Sequence, residues 1–97
     1  MPTYVSLMKW TDKGIESIDE APQRTKESIE LLEKMGGKLI GFYYLMGEYD
    51  MVGVAEVPSE EVAMTFLTRL GATGNVRTTT MRAFTPEEAA AIMERQP

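Results

Sequence analysis

The sequence predicts an α+β sandwich in the order β-α-β-β-α-β, with a four-stranded antiparallel sheet and a short C-terminal helix. Three observations predict it. Four short runs rich in β-branched and aromatic residues are separated by stretches whose apolar residues recur at helical spacing. Two of those runs, Lys38 to Met46 and Met51 to Val57, are parted only by Gly47-Glu48-Tyr49-Asp50. That segment reads as a hairpin tip: a Gly tolerant of positive φ, a ring to pack beside the turn, and a short carboxylate to bond backbone N–H groups. Finally, 97 residues are the size of one domain, spanning 1–97, and such a domain buries roughly 60–70% of the surface its unfolded chain exposes.

Each element follows in order. Thr3 to Trp10 is a first strand that stops at Thr11-Asp12, either of which can cap a short helical turn containing Ile15 and Ile18. Pro22 favours the first turn of a second helical piece running to Met35, with Ile29, Leu32 and Met35 on one side and most charges elsewhere. Gly36-Gly37 ends it, one glycine suiting a left-handed cap. After the hairpin, Ser59 is an N-cap with Glu60 and Glu61 in the first turn, where the helix dipole favours acids. Val62, Ala63, Phe66, Leu67 and Leu70 then recur at helical spacing, and Gly71 is the expected stop. Gly74-Asn75 turns into a fourth strand, Val76 to Phe84. Thr85-Pro86-Glu87-Glu88 is a capping box that opens the last helix.

This order is the split βαβ arrangement of ferredoxin-like sandwiches, in which two helices cover one face of the sheet. Yet the strands are apolar on both parities. Val5 and Leu7 alternate with Tyr4, Met8 and Trp10, while Leu39, Tyr43 and Leu45 alternate with Ile40, Phe42, Tyr44 and Met46. An apolar open face needs a second layer, and another copy of the chain is the expected one, with sheets packing face to face between subunits. Parity does not say which side the helices cover, so a charge at Met8 is expected to disrupt either the open face or the core beneath the helices.

Composition removes most enzyme types. With 43% hydrophobic and 26% charged residues the chain reads as a globular domain, and no apolar run approaches the length that spans a membrane. The absence of Cys and His excludes disulfides, thiolate metal sites, thiol nucleophiles and the commonest general base and haem ligand. The acids fall on helix faces or helix starts, so no metal and no cofactor is expected. A net charge of −5 with scattered basic residues argues against nucleic acid as a partner. The segment from Met1 to Tyr4 lacks the basic and apolar regions of a signal peptide, and a cytoplasmic location is the expectation.

Asp50 and Tyr49 can be read as an acid–base pair at a pocket mouth, but the structural reading is stronger: a carboxylate capping backbone N–H groups and a packed ring. Arg77, beside Asn75 and Thr79, has the fork to clamp a carboxylate or phosphate, against the simpler reading of a salt bridge. Arg24 at a helix start opposes the dipole and so points to an acidic side chain or an anionic ligand. Glu56, in the third strand, must reach the strand end or meet a cation. Met8, Met46, Met51, Met64 and Met81 read as core packing or as walls of an adaptable cavity. Thr78-Thr79-Thr80 reads as strand filler with hydroxyls on alternate faces, and Gly71-Ala72-Thr73-Gly74 lacks the Lys and helix of a phosphate loop.

Taken together, Tyr4-Val5, Thr11-Asp12-Lys13-Gly14-Ile15, Pro22-Gln23-Arg24, Gly36-Gly37-Lys38, Gly47-Glu48-Tyr49-Asp50 and Gly74-Asn75-Val76-Arg77-Thr78-Thr79-Thr80 resemble the GYD-domain proteins of the dimeric α/β barrel superfamily. The resemblance implies the ferredoxin-like fold and self-association. Proteins similar in fold include cofactor-free oxygenases, isomerases, haem-handling enzymes and non-catalytic ligand-binding domains, so it leaves function open. The leading expectation is a homo-oligomeric small-molecule-binding or assembly domain that takes a small apolar or anionic molecule, with Arg24, Tyr49, Asp50, Arg77 and Thr79 as ligand-binding candidates. The rival is a cofactor-independent isomerase or oxygenase acting on a small aromatic or carbonyl compound.

Overall fold

Thr11 ends the first strand, β1 (Thr3–Trp10), and its hydroxyl accepts the Gly14 N–H at 3.1 Å to cap α1 (Asp12–Glu16). The computed structural model describes residues 1–95. A short 3-10 helix, Ile18–Glu20, leads into α2 (Ala21–Lys34), whose first turn contains Pro22, where the missing N–H costs nothing. Ile18 therefore lies outside α1. Gly36, at φ 87°, closes α2 with a left-handed cap. The hairpin strands are β2 (Lys38–Tyr44) and β3 (Met51–Glu56), followed by α3 (Glu60–Ala72), β4 (Val76–Ala83) and α4 (Pro86–Glu94).

Two boundaries differ from expectation for tertiary reasons. Strand β2 stops at Tyr44 because the next residue to pair, Asp50, gives its N–H to the Met8 carbonyl of β1 at 2.8 Å; the loop closes through Leu45 N–H to the Asp50 carbonyl, also 2.8 Å. Met46 is left fully exposed in that loop. Helix α3 runs through Gly71 because Leu70 still packs on the core, which outweighs the roughly 1 kcal/mol that a helical Gly costs; Gly74, at φ 78°, makes the turn instead.

Helix α4 is held at its start by a complete capping box: Thr85 accepts the Glu88 N–H, and Glu88 accepts the Thr85 N–H at 2.8 Å. The Thr85 backbone bond keeps the Glu88 carboxyl below its ordinary value of 4.5. A depressed carboxyl stabilises the folded form above its unfolded pKa, and that contribution is lost as pH falls through the folded value. Amide exchange in the first turn of α4 should therefore accelerate as pH drops below 4.5, beyond the intrinsic trend, and a Glu88→Gln variant should lack that step.

The sheet is antiparallel with strand order β2-β3-β1-β4. The two helices α2 and α3 lie against the side of β1 that carries Tyr4, Ser6, Met8 and Trp10. A bulge between Leu39 and Gly41 shifts the parity of β2, so that Leu39, Phe42 and Tyr44 share the helix side and Ile40 is pushed out to 53% exposure. The core consists of two clusters, Met8, Met51 and Val76 at one end and Leu32, Val57 and Ala63 at the other. Met8 thus belongs beneath the helices.

The other face follows from strand alternation. Its central rows are Tyr43, Val52, Leu7 and Thr79, then Gly41, Val54, Val5 and Met81. Lys38 beside Glu56 marks one end and Lys9 beside Arg77 the other, so charges rim an apolar centre. Glu56 meets its requirement at the strand end, opposite Lys38. Tyr43 is 68% exposed and Met81 43% exposed there.

Candidate functional site

Cross-strand register places Phe42, Gly53, Ser6 and Thr80 in one row across the helix-covered side of the sheet. The rows on either side carry Met51 with Met8, and Leu39 with Tyr4. Three of the four middle positions are thus small, as are Ala55 and Thr78 in the flanking rows, and α2 and α3 bridge over the gap. The result is a cavity of about 380 Å³ between the two core clusters, within the size range of small-molecule sites. Trp10, Phe66 and Leu70 contribute apolar walls. A Cβ added at Gly53 would meet the Met8 methyl at 3.5 Å and the Phe42 ring at 3.7 Å, ordinary contacts at a backbone without positive φ. The chain path therefore does not demand Gly at 53, and its missing side chain adds to the empty space.

The polar atoms at the floor are two hydroxyls, Ser6 Oγ and Thr80 Oγ1, 2.7 Å apart. At one end the Trp10 ring stacks with Tyr44 at 6.4 Å between centroids and lies 5.7 Å from the Arg24 guanidinium. Tyr44 is tied to α2 by a 2.7 Å bond between its hydroxyl and that of Thr25.

The sequence candidates fall in three places. Arg24 lines the cavity, but its Nη1 donates to the carbonyl and hydroxyl of Ser17 at 2.8 and 2.9 Å, and its Nη2 donates to the Gly14 carbonyl at 3.1 Å. The cation that opposes the start of α2 thus serves the carbonyl end of α1. Asp50 accepts the Trp10 N–H at 2.8 Å and borders a separate 290 Å³ recess with Pro22, Tyr44 and Leu45. The half-buried Tyr49 ring lies 5.2 Å from the Lys9 ammonium. Arg77 and Thr79 sit on the opposite, open face, where Arg77 donates to the carbonyls of Gly71 and Val76 at 3.1 and 2.9 Å. Of the five methionines considered, only Met8 and Met51 reach the cavity; Met46, Met64 and Met81 are exposed because they lie in the loop, on the outer side of α3 and on the open face.

Many of the short motifs meet at the Trp10 end of β1. Thr11 donates its hydroxyl to the Gly74 carbonyl at 2.5 Å and its N–H to the Asn75 carbonyl at 3.0 Å, and Lys13 reaches the Thr73 carbonyl at 2.9 Å. A Cβ on Gly14 would collide with the Asn75 carbonyl, so only Gly lets α1 approach this turn. The hairpin tip joins them through Asp50. Replacing Asp50 by Ala removes the acceptor for Trp10 and is expected to cost about 1–2 kcal/mol, read as a lower denaturation midpoint. An unchanged midpoint would show that the carboxylate is dispensable to folding.

Residues Ser6, Gly53 and Thr80 were not singled out as a group by the sequence. Their small size in mid-strand was visible, but their adjacency depends on pairing β1 with β3 and β4, which are distant in sequence.

Cavity, fold and open face together define a ferredoxin-like α+β domain with a partly open, largely apolar pocket between its sheet and helices. The chain belongs to the GYD-domain family, whose model matches residues 4–93. It is similar to the glutamine synthetase and cystathionine beta-lyase binding protein of Thermus thermophilus, at 33% identity over 84 residues, covering 86% of this chain and 88% of that protein. Among solved structures it is similar to FFRP-DM1, with a TM-score of 0.63 and 20% identity, covering 87% of this chain and 100% of the other. It also resembles the leucine response regulatory protein of Mycobacterium tuberculosis, with a TM-score of 0.62 and 24% identity, covering 87% of this chain and 51% of that one. These structural likenesses show the shared fold. No helix among the described residues is long and apolar enough to cross a membrane.

Proposed function

We propose that this chain is a self-associating binding domain, with a small-molecule site under the helices and a second copy of the chain against the open sheet face. The observation that carries the proposal is the row of small residues, Gly53, Ser6 and Thr80, beneath a partly open space of about 380 Å³ between the sheet and its helices. A core that served packing alone would lose stability to such a void. The open face supports self-association, because an apolar centre with a charged rim is the anatomy of a protein interface. Filling the cavity with Gly53→Leu should abolish uptake of a small neutral fluorophore such as naphthalene by the native protein, with the melting temperature kept or raised. Equal uptake by both proteins would refute the site.

The rival reading, a cofactor-independent isomerase or oxygenase, needs polar groups that converge on the substrate. Tyr49 and Asp50 lie at the hairpin, and Arg77 lies across the sheet, so none faces the cavity with another. A second reading, binding of enzymes as assembly partners, is favoured by the Thermus relative, which is named for binding glutamine synthetase and cystathionine beta-lyase. Co-migration of the purified chain with either enzyme on size exclusion tests it; independent elution of both would set it aside.

A further inference from the structure

The Ser6–Thr80 pair bears on what the cavity holds. Two hydroxyls carry two hydrogens, and only one can lie in the 2.7 Å bond between them. Among the described residues neither side chain makes another hydrogen bond, so one hydrogen and the remaining lone pairs are left for a further partner. A cross-strand hydroxyl pair is ordinary in a sheet. One placed on the sheet side of a cavity, with apolar walls from Met8, Phe42, Trp10 and Leu70, is a polar anchor in a largely apolar site, whose other polar lining, such as Thr25, Ser28 and Asn75, comes from α2 and the loop before β4.

Charge narrows the occupant further. Of the charged residues that line the cavity, Arg24 is held by carbonyls of Ser17 and Gly14 and by its place beside Trp10, Arg69 and Glu27 are exposed on the helices and opposite in sign, and the chain as a whole is at −5. An anion at the floor would lose its hydration and gain only neutral hydroxyls. Size sets the remaining limit. A cavity of about 150 Å³ takes benzene, so 380 Å³ admits roughly 15 non-hydrogen atoms.

Building on the binding reading above, we propose that the cavity takes a neutral, compact, apolar molecule bearing one oxygen, an alcohol, phenol or ketone, whose oxygen docks on Ser6 and Thr80. The neutral class replaces the anionic ligand expected from Arg24 and Arg77.

The test is an amide NMR titration of the intact chain with naphthalene, 2-naphthol and 2-naphthoate, three probes of similar shape and different polar group. In the parent, 2-naphthol should shift the amides of Ser6, Gly53 and Thr80 and bind about three- to tenfold tighter than naphthalene, the worth of one net hydrogen bond. Naphthoate should bind more weakly than 2-naphthol. The double variant Ser6→Ala/Thr80→Val should erase the advantage of 2-naphthol while leaving naphthalene within about twofold, a split that general loss of structure would not give. Equal binding of naphthalene and 2-naphthol by the parent, tighter binding of naphthoate, or an advantage that survives the double variant would each overturn the anchor while leaving the cavity as a binding site. If no probe moves those amides in the parent, the cavity reading itself fails and the anchor with it.

Discussion

Met8→Glu is expected to abolish cooperative folding of this chain. Met8 is 7% exposed, packed with Met51 and Val76 beneath the helices, and no cation faces it within that cluster. The substitution removes a core side chain, at about 2–5 kcal/mol, and adds a carboxylate that must either stay protonated or lose its hydration. Those costs together rival the 5–15 kcal/mol that separates typical domains from their unfolded state. Circular dichroism should show loss of a cooperative melt at neutral pH, with partial recovery in acid as the carboxyl protonates. A variant that melts like the parent would place Met8 outside the core.

Leu7→Glu, one residue earlier, should act on a different property. Leu7 belongs to the open face, in the row of Tyr43, Val52 and Thr79, and its substitution places a charge at the apolar centre of the proposed contact between copies. An unpaired charge at such a centre costs about 2 kcal/mol or more, a loss of roughly 30-fold in association, and in a two-fold interface where each copy contributes it the free energies add to a loss of roughly 900-fold. Light scattering should therefore find an oligomer for the parent and a monomer for the variant at the same micromolar concentration. The variant should still bind a cavity probe, since its altered residue is on the other side of the sheet. A monomeric parent would remove the basis for self-association altogether.

The contrast between residues 7 and 8 also marks what could be read without coordinates. Local signals placed nearly every element: Thr11, Ser59 and Thr85 as caps, Pro22 and Pro86 in first turns, and Gly36 as a left-handed stop act through their own backbone and need no partner in space. Gly71 misled for the opposite reason, because tertiary packing of Leu70 held the helix past it. The bulge at Ile40 likewise shifts the faces of β2, and nothing in Leu39-Ile40-Gly41-Phe42 announces which residue is extra.

The candidate site was less legible than the fold. Asp50 reads in the sequence as bonding backbone near its turn, and in the structure the donor it meets, the Trp10 N–H, lies 40 residues away in β1. Arg24 and Arg77 read in the sequence as anion binders or ion-pair partners, and in the structure both donate to carbonyls at helix ends.

By itself the sequence determined the α+β order, the helix boundaries set by caps and prolines, the apolar character of both sheet faces and the lack of thiol and imidazole chemistry. The tertiary structure alone decided which parity the helices cover, how the strands register, and hence that Gly53, Ser6 and Thr80 fall side by side to leave a cavity. The physical reason is one of range. Caps and turns act within a few residues, whereas a void is made by what three strands fail to bring to the same place, and that depends on pairings up to 74 residues apart.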